Sequence, residues 1–380
     1  MNPQVAVIGA SQTRFESDKG YEAITETVFK VVCEAMADAG VNRDDLDSIV
    51  TSSVDLWDGR TASNQMLTEV VGSIMKPESR VAGDGLGAVF QGIMAILAGA
   101  SEITLVVSQC RGSMGAHYEI SNWVFDPIYQ QTLGLDYLSA GARQANLYMK
   151  QFGISQKDCA RVVVKNLQDA QNNPYAQVTR KATVDEVMDS PMWAYPIKEM
   201  DAAPISDGAC AVVLASQEKA KTLSKKPVWI LGAGSCLDSH YLGDRDLAGG
   251  DALIKASKKA YGMAGINHPL KDLDVAEVSA AFSYQELLWT ELLGFCGRGE
   301  GAKILKKGMT SLGGELPVNP SGGMIAGNPV TVAGLTRLVE AVLQVRGEAG
   351  TRQVRGARKA LAHGTTGCCG QGQYVMIVGN

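Results

Sequence analysis

No CxxC pair occurs among the chain's eight cysteines, so neither a zinc ribbon nor a disulfide framework can be read from it. The net charge is −5 with no basic block, which leaves nucleic acid without an electrostatic footprint. Low-complexity tracts are absent. The longest apolar stretches are broken by Gly and polar residues before they reach the length of a membrane span. The opening, Met1-Asn2-Pro3-Gln4-Val5, has the pattern of neither a signal nor a transit peptide, and a reduced cytoplasm is the expected compartment. The apolar run Val5–Ser11 carries no GxGxxG, and no Walker loop occurs, so neither nucleotide fingerprint applies.

What is abundant is apolar residues and glycine. The 380 residues are 46% hydrophobic and include 42 glycines, enough for a large core with many tight turns. Two segments repeat one plan. Val5-Ala-Val-Ile-Gly-Ala-Ser11 and Val228-Trp-Ile-Leu-Gly-Ala-Gly234 read as buried strands. A helix is predicted after each, over about Tyr21–Ala39 and about Asp251–Ala264, and both end at an Ala-Gly pair suited to a left-handed cap. The wording after each helix then matches: Ala39-Gly-Val-Asn-Arg-Asp-Asp-Leu-Asp-Ser-Ile-Val50 against Ala264-Gly-Ile-Asn-His-Pro-Leu-Lys-Asp-Leu-Asp-Val-Ala-Glu-Val278. Such strand–helix–strand units imply an α/β protein with helix-covered sheets. Duplication divides the chain into residues 1–226 and 227–380, with the junction near Lys225-Lys226-Pro227. An excursion over about 112–195 either shapes a substrate site or covers a surface.

Three segments of the second half carry a more specific signal: Gly299-Glu-Gly301, Leu312-Gly-Gly-Glu-Leu-Pro-Val-Asn-Pro-Ser-Gly-Gly323 and Gly327-Asn-Pro329. They resemble the GG-x-x-P-x-N-x-x-GG … GHP region of the thiolase family. Lys165-Asn166, Asn173-Pro-Tyr-Ala-Gln177 and Ile205-Ser-Asp-Gly-Ala209 resemble the branch holding sterol-carrier-protein and archaeal thiolases, and the likeness runs nearly end to end. It implies the thiolase fold: two duplicated βαβ-rich halves in five αβαβα layers, with a loop subdomain. Within that branch the chain looks most like the thiolase subunits of benzoylsuccinyl-CoA thiolases.

Thiolases cleave a β-keto acyl-CoA with a Cys nucleophile, an acid/base and two oxyanion holes. The resemblance places the nucleophile in the loop Ser79-Arg-Val-Ala-Gly-Asp-Gly-Leu-Gly-Ala88. There it falls on Ala82, or on Asp84 with a small gap, and neither can form a thioester. In Glu277-Val-Ser-Ala-Ala-Phe282, Ser279 stands where the family has His or Asn, and Asn328 stands where the His of Gly-His-Pro belongs. Both can donate a hydrogen bond to a thioester oxygen, and neither abstracts a proton near neutral pH. Their bland alternatives are a helix cap for Ser279 and a turn for Asn328. The acid/base expected from the last glycine-rich loop falls on Cys368 or Cys369, although counting back from Gly372 puts Thr366 at the family position. A small buried hydrophobe is the other reading of either thiol. His363 lines the site or packs against the sheet. The implied substrate-binding set is Ala82, Asp84, Leu86, Asn319, Gly322 and Gly323, with small residues at the loop leaving space for an aromatic acyl group.

The resemblance thus implies thiolysis of benzoylsuccinyl-CoA to benzoyl-CoA and succinyl-CoA, as in anaerobic toluene degradation, by direct attack of CoA thiolate. Coenzyme A is substrate; no metal or covalently bound cofactor is implied. The alternative is a thiolase-like aldolase, a carbon–carbon lyase acting on a β-hydroxyacyl-CoA with Tyr284 or a water as base. Implied partners are a second copy, paired through the strand near Ile103–Ser108, and a small subunit with an OB-fold and a zinc ribbon. The four cysteines of that ribbon are not found in this chain.

Overall fold

The computed structural model describes residues 4–380. Its strands are β1 (Val5–Gln12), β2 (Ser48–Ser52), β3 (Glu78–Val81), β4 (Ile103–Arg111), β5 (Met192–Ala194), β6 (Ile197–Lys198), β7 (Asp207–Ser216), β8 (Val228–Leu237), β9 (Val275–Val278), β10 (Lys359–Thr366) and β11 (Gly372–Gly379). β5 and β6 form a separate ribbon, and the other nine run β3-β2-β4-β7-β1-β8-β11-β10-β9. Within the sheet the halves join where Ala6 and Val7 of β1 pair with Trp229 and Val228 of β8. On either side of that seam the pairing repeats. β2 with β4, and β9 with β10, are parallel. β4–β7–β1 and β10–β11–β8 are antiparallel.

Layering follows from the apolar clusters. The helix Ile24–Ala39 buries Val28, Val31, Val32 and Ala35 against Ile8, Leu105 and Val213 on the outer face of the first half. The helix Asp251–Ala264 buries Leu253, Ala256 and Ala260 against Val278, Leu361, Val375 and Ile377 on the outer face of the second. Between the halves lie the helices Gly85–Leu97 and Ala333–Arg346, whose Leu86, Val89, Leu335 and Leu338 share a core with Val106 and Val212 on one side and Ala362 and Met376 on the other. This is the αβαβα order. Gly9 and Gly232 explain the close packing of the outer helices: a Cβ at Gly9 would collide with the Ala35 carbonyl, and one at Gly232 with that of Ala260.

The first predicted helix begins at Ile24, behind a backbone turn in which Glu22 N–H donates to the Lys19 carbonyl. Between Arg111 and Asp207 the chain leaves the sheet. Its helices Tyr137–Phe152 and Gln156–Ala170 bury Ala145, Tyr148 and Val162 in the outer core of the second half, beside Leu287 and Trp289. The expected pairing strand needs correcting. β4 is bonded to β2 on one side and along its whole length to β7 on the other, so it has no free ladder for a second copy. The edge strand of the first half is β3, which among the described strands pairs with β2 alone. Among the described residues no helix is long and apolar enough to cross a membrane.

Candidate active site

The two inner helices begin side by side, and one carboxylate serves both. Asp84 is the N-cap of the helix Gly85–Leu97 and accepts from Leu86 N–H at 2.9 Å. Its other oxygen accepts at 2.8 Å from Gly334 N–H, in the first turn of the helix Ala333–Arg346. Only 3% of Asp84 is exposed. Burial pushes its carboxyl up to about 7, against the two N–H donors and Arg337. Gly334 and Gly364 are required around it, because a Cβ at either would collide with Oδ1 of Asp84. Ala82, two residues earlier, is exposed.

Thr366 approaches this loop: its Oγ1 lies 3.2 Å from where a Cβ on Gly83 would stand. Thr366, the position that counting back from Gly372 gives, therefore stands beside the loop in which the resemblance places the nucleophile. Cys368 and Cys369 pack with Phe125, Ala140, Leu242 and Leu247. The Cys369 carbonyl accepts from Gln144 Nε2 and the Cys368 carbonyl from Arg245 Nη2. Burial pushes the Cys369 thiol up to about 12 and the Cys368 thiol higher still, so both are protonated near neutral pH.

Asn328 and Ser279 are held by one extended segment. Ala203 N–H donates to the Ala281 carbonyl at 2.8 Å, and Ser206 N–H donates to the Asn328 carbonyl at 3.0 Å. Asn328 is 5% exposed and Ser279 1%, and among the described residues neither Asn328 Oδ1 nor Ser279 Oγ has a hydrogen-bond partner. Ser279 is not a helix cap: the next helix starts at Ser283 with Phe282 as its N-cap, because Ala202 and Ala203 hold Ala281 and Phe282 extended.

His363 belongs to the outer face. Its ring meets Trp289 edge-on at 6.1 Å and its Nε2 pairs with Gln373 Oε1 at 2.7 Å. Burial lowers it to about 4, so it is neutral and packs against the sheet. Four of the expected substrate contacts are built into the scaffold. Leu86 lies in the inner core. Asn319 accepts from Val278 N–H and donates to Glu286. A Cβ on Gly322 would crowd Ala170 and Asn166, and one on Gly323 would crowd Asn319. Tyr284, the alternative base, is buried with its hydroxyl donating to Gln144 Oε1 at 2.9 Å, and burial raises its phenol well above the usual value. Ser206, Gln177 and Gln144 are neighbours of the site that motif matching did not single out. Gln177 and Ser206 lie within the segments Asn173–Gln177 and Ile205–Ala209 that carry the family resemblance, whereas Gln144, on the helix Tyr137–Phe152, lies in neither.

Two βαβ halves whose inner helices begin side by side beneath glycine-rich loops are the arrangement expected of the thiolase fold. Comparison with known proteins agrees. Residues 5–218 match the thiolase N-terminal domain and residues 234–380 the thiolase C-terminal domain-like family, and the chain belongs to the thiolase family. It is 34% identical to the acetyl-CoA acetyltransferase of Methanothermobacter thermautotrophicus over 96% of this chain and 97% of that one. It is 35% identical to the benzoylsuccinyl-CoA thiolase subunit BbsB of Thauera aromatica over 60% of each chain. Among solved structures it superposes on the Ltp2-ChsH2(DUF35) aldolase with a TM-score of 0.85 at 26% identity, covering 99% of this chain and 97% of that one. The chain is thus an acyltransferase of thiolase type, with coenzyme A as substrate.

Proposed function

We propose that this thiolase cleaves benzoylsuccinyl-CoA with CoA to benzoyl-CoA and succinyl-CoA, without an acyl-enzyme. The observation that carries the reading is the pairing of Ala82 with Asp84: the loop offers no nucleophile, and a carboxylate already occupies both inner-helix N-termini. The likeness to BbsB supports the aromatic substrate. CoA thiolate attacks the keto carbon and forms the new C–S bond. The bond from that carbon to the succinyl α-carbon then breaks, and its electron pair passes onto the α-carbon and its thioester oxygen. Asn328 Nδ2–H stabilises that oxygen. A thiol proton from Cys368 or Cys369 is delivered to the α-carbon, and solvent restores it.

The active assembly in this reading is cytoplasmic, with the division at residues 226 and 227 separating the two halves. It has a homodimer core formed along the edge strand β3. It also carries a small zinc-ribbon and OB-fold subunit, in keeping with the DUF35 partner of the aldolase and the subunit status of BbsB. The aldolase likeness favours a second reading, release of a carbonyl fragment from a β-hydroxyacyl-CoA. That reading needs a base other than Tyr284, whose phenol stays protonated. Mass spectrometry of CoA products separates the two. The purified chain, alone and co-expressed with its small partner, is incubated with benzoyl-CoA plus succinyl-CoA. A new β-keto diacyl-CoA adduct is expected. No adduct, with cleavage of a β-hydroxyacyl-CoA instead, moves the assignment to the lyase.

A further inference from the structure

Ser206 grips the backbone of Asn328 from both sides. Its own N–H donates to the Asn328 carbonyl at 3.0 Å, and its Oγ accepts from Asn328 N–H at 2.8 Å. The Ser206 hydroxyl proton has one destination, Gln177 Oε1 at 2.6 Å. Gln177 is anchored in turn: its N–H donates to the Ala326 carbonyl at 2.8 Å. A Cβ on Gly327, the residue between, would stand 3.3 Å from Phe15 and 3.6 Å from Gln177. Every backbone polar group of Asn328 is therefore satisfied by one fully buried serine, while its side-chain Oδ1 has no partner. The carboxamide is thus the part of Asn328 that the protein does not hold: among the described residues Nδ2 donates to no acceptor and Oδ1 meets no donor, so Nδ2–H is free for an acceptor that arrives and Oδ1 for a donor.

We infer that Ser206 and Gln177 are positioning residues for Asn328, fixing its carboxamide for the thioester oxygen on which charge develops. This rests on the reaction proposed above. Ser206→Ala removes the acceptor for Asn328 N–H and strands the Gln177 carbonyl, whereas Ser206→Thr keeps a hydroxyl in place. A donor displaced by a fraction of an ångström stabilises the transition state less while ground-state binding persists, so the effect falls on kcat.

The test uses the full chain with its small partner subunit. Thiolysis kinetics are measured for the parent, S206A, S206T, N328A and S206A/N328A, together with hydrogen exchange of the segment containing Asn328. S206A is expected to lower kcat about 10–100-fold with KM within about twofold. S206T should recover most of the loss, and the double variant should be no slower than N328A alone. Exchange at Asn328 should quicken in S206A and not in S206T. Unchanged kcat in S206A, or a double variant slower than N328A by the full S206A factor, overturns the positioning role. A parent that turns over neither β-keto nor β-hydroxyacyl-CoA, with the exchange result as expected, overturns the reaction reading and leaves only the backbone clamp.

Discussion

Replacing Asp84 by alanine removes two acceptors from the point where the inner helices meet. Leu86 N–H and Gly334 N–H, both buried, lose partners at 2.9 and 2.8 Å. A buried donor left unsatisfied costs about 1–3 kcal/mol, and loss of an N-cap typically about 1 kcal/mol. The expected loss near neutral pH is roughly 2–4 kcal/mol in urea unfolding followed by tryptophan fluorescence, with the parent titrated alongside. Asp84→Ser restores a cap for Leu86 but does not reach both donors, so it should recover about half.

The pH dependence carries a sign. Burial raises the Asp84 carboxyl from 3.8 to about 7. The folded state therefore binds this proton more tightly than the unfolded one. The proton-linked part of the group's contribution is fully present below about pH 4 and is lost as pH rises through about 7, leaving the two hydrogen bonds. The gap between parent and D84A should be widest at the acid end of that window. Crowding gives a second handle: Gly364→Ala sets a Cβ against Asp84 Oδ1 and 3.0 Å from the Leu86 Cβ. D84A/G364A should be less destabilised than the two single changes summed, by roughly 0.5–3 kcal/mol. A D84A protein within about 0.5 kcal/mol of the parent, the range of an ordinary surface change, would refute the shared cap.

Ala82→Cys places a thiol at an exposed position just ahead of an inner-helix N-terminus, so thiol titration of the native protein should count one more fast-reacting group than the parent. His363→Gln removes a ring held neutral, its pKa lowered from 6.5 to about 4. The parent's stability falls as pH drops from about 6.5 through 4, because the unfolded state takes up that proton first; urea midpoints of the variant should show a shallower fall across that window. Substituting both Cys368 and Cys369 by Ala removes the only thiols of the last loop. Turnover should drop by at least about 100-fold, the scale of general acid catalysis, and undiminished product formation would remove both from the reaction.

What could be read from the chain without its structure was local. The strand β8 and the helix Asp251–Ala264 carry their own periodicity and glycine punctuation, and they fold where those patterns place them. Ser279 was open to a capping reading because a serine ahead of an apolar stretch often is one. The segment that keeps it extended, Ala202–Ala203, belongs to the other half of the duplication. The resemblance puts the pairing with a second copy on β4, and the apolar run of that strand does not say what lies on its flanks; β7, which fills one flank, arrives only after the long excursion. The same limit governs the site. That the loop holds no cysteine at Ala82 or Asp84 is visible once the family resemblance aligns it, but the carboxylate that closes both inner helices is not, since Gly334 stands in the far half of the chain. Chemistry that depends on one residue type at one place was therefore open to reading. Chemistry made by joining the halves, as at Asp84 and at Ser206 with Asn328, exists only once the two halves have packed together.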